Sequence, residues 1–182
     1  MQKKGFVVIR NLVEQPEVAR LYQHTLDSMA RGNFKDKQVN GSPSFYQDKQ
    51  MVVLHQKILS QIEAITETKL FATFCFNRVY RKGAILRTHK DRRACEIAVT
   101  MNLGQQGELW DLWLMDNDEN ANRVALAPGD AIIYQGSRLN HWRGKLENAD
   151  YVSQVLFFFI NQKGRDKVAL IAEWFTRFLA KF

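Results

Sequence analysis

The sequence predicts an α+β fold: an antiparallel β-sandwich of jelly-roll type, with helices packed on it. Three observations predict it. From Leu70 onward, short runs of aromatic and β-branched residues alternate with turn residues, the texture of an antiparallel sandwich or barrel. Ahead of them, apolar residues recur at helical spacing. The chain has 182 residues, 46% of them hydrophobic, which suits one domain with a real core and excludes disorder as the default.

The elements follow in order. GFVVI is a first strand. Pro16 stands near the start of a helix carrying Val18, Tyr22, Leu26 and Met29, and Gly32 ends it. NFKDKQVNGSPSFYQDKQ is polar and turn-rich, a loop. Leu54, Ile58, Ile62 and Ile65 mark a second helix. The β region holds FATFCFNRVY, AILRTH, CEIAVTMNLG, ELWDLWLM, RVALA, DAIIYQ and YVSQVLFFFI. Lys82-Gly83, GQQG, DNDENAN, PGD and ENAD supply the turns. Val168, Ile171, Trp174, Phe175 and Phe178 predict a closing amphipathic helix. The expected organisation is a single domain over 1–182: helical support in 1–69, a β core in 70–160 and a helix over 164–182.

Composition narrows the function. No apolar stretch reaches the roughly 18 residues of a membrane span. The apolar run in MQKKGFVVIRN is too short for a signal peptide. Cys75 and Cys95 lie in or beside hydrophobic runs and read as reduced core thiols, which points to the cytoplasm. The net charge is +7, but the cations are scattered, without a basic stripe interleaved with aromatics. The charge is read as solubility plus a site for an acidic small molecule, and a nucleic-acid partner is disfavoured.

Chemistry concentrates in RTHKDRRACE. On a strand, residues two apart share a face, so His89 and Asp91 project together and Lys90 points away. A third ligand should come from a neighbouring strand. His24 and His55 fall in the helical patterns and are expected on or beside helix surfaces. His141 lies between DAIIYQ and YVSQVLFFFI, among strands. His89, Asp91 and His141 then form a two-histidine, one-carboxylate triad. Such a set suits Fe(II) bound on one octahedral face, with open positions for a bidentate co-substrate and dioxygen. The bland alternative is an exposed His89–Asp91 ion pair and a loop histidine.

VYRKGAILRTHKD and PGDAIIYQGSRLNHW resemble the prolyl 4-hydroxylase-like branch of the Fe(II)/2-oxoglutarate-dependent dioxygenases. The match lies in Tyr80, Gly83, His89 and Asp91, and in a Gly-Asp-Ala strand leading to His141. It covers roughly 70–160. The resemblance implies a double-stranded β-helix holding iron. It also implies decarboxylation of 2-oxoglutarate to succinate and CO2, with O2 consumed, ascorbate as an accessory reductant and a C–H bond hydroxylated. An amino-acid or prolyl-like peptidyl substrate follows from the same source. The family also places an Arg or Lys a short way after the distal histidine, for the far carboxylate of 2-oxoglutarate. Here that window, Asp150 to Gln154, reads DYVSQ and holds no cation. Arg143, two residues from His141, and Arg78, two before Tyr80, are the substitutes, with the Tyr80 hydroxyl as a further donor.

Other residues carry lesser expectations. Arg92 and Arg93 either line the entrance or are simply solvated, and Glu96 pairs with one of them. Trp110 and Trp113 face opposite sides of a strand, one towards the core and one towards the entrance. Thr100 and Asn102 share a face, in reach of co-substrate or paired in the core. Phe45 and Tyr46 sit on a loop that could cover the substrate. Two rival readings stay open: an oxygenase acting on alkylated nucleic acid, and a cupin-like module that binds zinc or no metal. Oligomeric state is not readable.

Overall fold

The computed structural model describes residues 3–163; the closing helix expected over 164–182 lies outside them. Among the described residues, ten strands form two antiparallel sheets. The strands are β1 Phe6–Ile9, β2 Ser44–Tyr46, β3 Leu70–Arg81, β4 Leu86–His89, β5 Ile97–Gly107, β6 Leu112–Met115, β7 Ala121–Val124, β8 Ala131–Tyr134, β9 His141–Arg143 and β10 Ala149–Asn161. The larger sheet has the order β1-β8-β5-β10-β3-β2, and the smaller β4-β9-β6-β7. This is the jelly roll that the run of strands predicted.

Two helices, α1 Gln15–Asp27 and α2 Lys49–Thr66, cover the outer face of the larger sheet. Pro16 stands in the first turn of α1, where its missing N–H costs nothing. The Asp48 carboxylate caps α2 by accepting from the backbone N–H groups of Gln50 and Met51. Val18 and Leu21 of α1, with Met51, Leu54, Ile58 and Ile62 of α2, pack on Val99, Met101, Val155, Phe157 and Phe159. Truncating one such residue, Ile62 for example, to alanine costs about 2–5 kcal/mol. The opposite face of the same strands turns Phe74, Ala98, Ile132, Tyr134 and Phe158 towards Leu112, Leu114 and Val124 of the smaller sheet. The central strands are therefore buried on both sides, and they read as nearly continuous apolar runs rather than clean alternation.

Several expectations change. The polar stretch after Gly32 is not loop throughout: Ser44–Tyr46 pairs with Arg78, Asn77 and Phe76 as an edge strand, and α2 begins at Lys49. GQQG is not a turn; β5 continues through it to Gly107, because β10 offers partners as far as Ala149. His55 is not on a helix surface. It is 2% exposed, with its ring 4.6 Å from that of Phe159. Lys82-Gly83 does turn: Gly83 has φ +88° and its N–H donates to the Leu146 carbonyl. Cys75 and Cys95 are buried free thiols.

Candidate metal centre

The site lies between the sheets and is assembled by strand register. β4 and β9 pair with His89 directly opposite His141, so the two rings meet at 4.2 Å between centroids. Each ring is oriented by a carbonyl two residues earlier in the chain. His89 Nδ1–H donates to the Arg87 carbonyl (2.8 Å), and His141 Nδ1–H to the Leu139 carbonyl (3.0 Å). That fixes the tautomer and leaves both Nε2 lone pairs for another partner, the arrangement typical of metal-binding histidines.

Asp91 reaches the same point by a different route. β4 ends at His89, so Asp91 is not on the strand; its N–H donates to the Gly136 carbonyl (2.9 Å) instead. The same departure from strand geometry brings the exposed Lys90 to the cavity rim, where alternation predicted that it would point away. Asp91 Oδ1 lies 3.8 Å from His89 Nε2 and 3.7 Å from His141 Nε2. The three ligand atoms all lie within 4.8 Å of one another. Burial, opposed by the charges of His89 and Arg92, pushes the Asp91 carboxyl up to about 6. Burial, with His89 next, pulls His141 down to about 4, so its imidazole is neutral at pH 7. Asp91 Oδ2 is buried and has no hydrogen-bond partner among the described residues. Two aimed imidazole lone pairs and an under-satisfied carboxylate make a donor set that fits a divalent ion of Fe(II) type.

A cavity of about 450 Å³ opens beside the triad. Its floor carries two buried arginines. On β9, Arg143 shares the face of His141. It is 2% exposed and donates to the Trp110 carbonyl and to Gln154 Oε1, the latter at 2.7 Å. Its guanidinium lies over the Trp110 ring at 5.0 Å, and burial lowers its pKa to about 10. Among the described residues, no carboxylate lies within ion-pair distance of it. Arg78 sits beside Gln154 in the β3–β10 register and is ion-paired to Asp36 (2.7 Å). Tyr80 also lines the cavity, its ring edge-on to Trp110 at 4.9 Å. Phe74, Phe158 and Tyr46 form an aromatic wall, with Arg92 5.8 Å above Phe74.

The lesser expectations divide. Thr100 lines the cavity, within 3.4 Å of the Tyr134 hydroxyl. Asn102 is occupied elsewhere, donating to Leu126 O and Gln105 Oε1. Trp110 is buried beneath Arg143, whereas Trp113 lies flat against Trp142 rather than at the entrance. Arg93 is exposed in a short 3-10 turn, and Glu96 accepts from the Asn161 N–H. Sequence reasoning missed Tyr134, Gln154, Gly136, Asp36 and Gln38. Gln154 was findable, as a polar residue within an apolar double-sided strand. Asp36 and Gln38 sit in a loop with no periodic signal.

No family model matches the chain, and no curated protein matches it. Solved structures do match. The fold is that of the Fe(II)/2-oxoglutarate oxygenases. A Pseudomonas putida prolyl-4-hydroxylase superposes with a TM-score of 0.71 at 14% identity, over 90% of this chain and 95% of that one. SnoN, a non-heme α-ketoglutarate-dependent epimerase from nogalamycin biosynthesis, gives a TM-score of 0.75 at 11% identity, over 88% and 80%. HygX from Streptomyces hygroscopicus, with nickel and 2-oxoglutarate bound, gives 0.70 at 11%, over 88% and 84%. Among the described residues, no helix is long and apolar enough to cross a membrane.

Proposed function

We propose that this protein is an Fe(II)- and 2-oxoglutarate-dependent dioxygenase acting as a hydroxylase. The observation that carries the reading is one juxtaposition. Two tautomer-fixed imidazoles and a buried carboxylate converge beside Arg143, a buried cation that lacks a carboxylate partner. His89, Asp91 and His141 would hold the iron, which when bound activates dioxygen at the expense of 2-oxoglutarate and releases succinate and CO2.

The chain's own groups do the rest. Arg143 neutralises the far carboxylate of the co-substrate, held in place by Gln154 and the Trp110 carbonyl. Tyr80 adds a hydroxyl donor from the same wall. The aromatic wall keeps water from the reacting C–H bond. Asp91 is anionic at pH 7 beside the neutral His141 ring, so the carboxylate brings one negative charge to the ligand set. The substrate is a small molecule or a peptide, with an amino-acid or prolyl-like side chain as the first choice. The cytoplasm is the proposed compartment, consistent with two buried free thiols.

The test is 2-oxoglutarate turnover, read as succinate release, with Fe(II), O2 and ascorbate, after anaerobic purification. The parent should release succinate and His89→Ala and Asp91→Ala should not. Equal release by all three, or tight zinc with no turnover, overturns the reading.

A further inference from the structure

Arg78 is an unfinished arrangement. It is 1% exposed, with its guanidinium over Phe76 at 4.8 Å and Tyr80 at 5.4 Å. Asp36 supplies its counter-charge, and its Nε has no hydrogen-bond partner among the described residues. A buried guanidinium with an idle donor is costly, and a second oxyanion contact would relieve it. Its partner does not belong to the sandwich. Asp36 comes from the stretch between Asn33 and Ser44, which has neither helix nor strand, and its side chain is 23% exposed.

The same stretch touches the triad. Gln38 Nε2–H donates to His89 Nε2 at 2.9 Å. The Nδ1–H of His89 is committed to the Arg87 carbonyl, so Nε2 holds the one lone pair that ring can offer. It can accept from Gln38 or coordinate an ion, not both. Metal loading therefore displaces the Gln38 amide. Asp36 Oδ1 accepts from the backbone N–H groups of Gln38 (2.8 Å) and Val39 (3.3 Å), so one hydrogen-bonded turn carries both the amide on His89 and the carboxylate on Arg78.

Charge says what comes next. Arg78, Lys90, Arg92 and Arg143 line the cavity against Asp36 and Asp91, an excess of two positive charges. A ferrous ion and a dicarboxylate co-substrate cancel each other and leave that excess standing. We infer that Arg78 is a second anion seat, that Asp36 holds it in the metal-free protein, and that the carboxylate of an acidic primary substrate takes it once the ion has displaced Gln38. The rest of that substrate is small and apolar or ring-shaped, matching a 450 Å³ cavity walled by Tyr46, Phe74 and Phe158. The inference rests on the proposed function, with Arg143 serving the co-substrate.

Acetate and its neutral isostere acetamide test it by thermal unfolding at constant ionic strength. In the metal-free parent, 50 mM acetate should shift Tm by less than about 1 °C. In Asp36→Asn it should raise Tm by about 4 °C, as expected for ligand at roughly ten times its Kd. Acetamide should do nothing, and Asp36→Asn combined with Arg78→Gln should lose the response. The parent loaded with Ni(II) and 2-oxoglutarate, which needs no substitution, should gain the acetate response, and Arg78→Gln should remove it. No acetate response in Asp36→Asn, or a response that survives loss of Arg78, overturns the seat. Calorimetry of Ni(II) and 2-oxoglutarate binding runs alongside. Failure of both to bind the parent sinks the proposed function, while the metal-free arms still judge the seat. A loss of tenfold or more in 2-oxoglutarate affinity in Arg78→Gln, but not in Arg143→Gln, reassigns Arg78 to the co-substrate and overturns the inference.

Discussion

Gly136→Ala should uncouple metal binding from folding. A Cβ added there would stand 2.5 Å from Asp91 Oδ2, 2.9 Å from the Cys95 carbonyl oxygen and 3.0 Å from the Ala98 Cβ. Ordinary contact begins near 3.4 Å, so the shortfall against the carboxylate is about 0.9 Å. Two of the three neighbours are close to fixed, one a backbone oxygen and the other a methyl of β5 beneath the cavity. Asp91 Oδ2 is the end of a side chain with no hydrogen bond to lose, so it yields first. Rotating the carboxylate is cheap for the fold but carries Oδ1 away from the two histidine nitrogens. Sites of this kind tolerate displacements of about 0.5 Å. The expected outcome is a stability loss at the low end of the 1–3 kcal/mol range for overpacking, with a 10–100-fold rise in the Ni(II) or Fe(II) dissociation constant. Denaturant unfolding and isothermal calorimetry on the same preparation separate the two. Metal affinity within threefold of the parent, in a folded variant, would refute the claim that Gly136 keeps space for the Asp91 carboxylate.

Three further outcomes follow from the same geometry. Arg143→Gln should raise the 2-oxoglutarate dissociation constant about 100-fold, the loss of a charge-assisted pair of hydrogen bonds, while Ni(II) affinity changes little; calorimetry on the Ni(II) protein checks it. Ni(II) at about 100 times its dissociation constant should stabilise the parent by about 2.7 kcal/mol, a Tm rise of about 5–10 °C, and His141→Ala should abolish that rise. Burial pulls His55 down from 6.5 to about 4, so the folded state prefers the neutral ring and the unfolded chain takes up the proton first. The associated stability is present above pH 6.5 and is lost as pH falls towards 4, about 3 kcal/mol in all. Urea unfolding across that window should show a shallower decline in His55→Leu, and parallel slopes would contradict the assignment.

The legible parts of this molecule were those where a single element carries its own signal. Leu54, Ile58 and Ile62 announce α2 because a helix with one buried stripe repeats its apolar residues at its own period. PGD and DNDENAN announce turns because their residues prefer turn conformations locally. GQQG misled for the complementary reason: its glycines look like a turn, but β10 runs long enough to pair β5 through them, a fact held in another segment. β2 and β9, three residues each, are too short to show a period, and tertiary pairing alone makes them strands. His55 was misplaced because a helix position gives no sign of which face meets Phe157 and Phe159.

The residues of the site followed the same division. His89, Asp91, His141, Arg78 and Arg143 drew notice as charged or ligating side chains in a strand-rich region, where an apolar residue is the expected occupant. Gly136 and Gln38 did not, because their parts are spatial: one leaves room for a carboxylate and the other lends a proton to an imidazole nitrogen. The row across the larger sheet makes the point physically. Asn102, Gln154, Arg78 and Ser44 stand side by side in register on β5, β10, β3 and β2. Each is a polar interruption in its own segment. Facing Arg143 of the smaller sheet, Gln154, Arg78 and Ser44 of that row become a polar floor under an apolar, aromatic-walled cavity, while Asn102 at its end bonds to Leu126 and Gln105 instead. Burying two guanidinium groups there is unfavourable for folding alone, since removing them to apolar side chains would cost the core little. A sandwich that retains them below the His89–Asp91–His141 cluster fits a ligand that supplies the missing anion, and Arg143, which unlike Arg78 has no carboxylate partner among the described residues, is where that anion would sit.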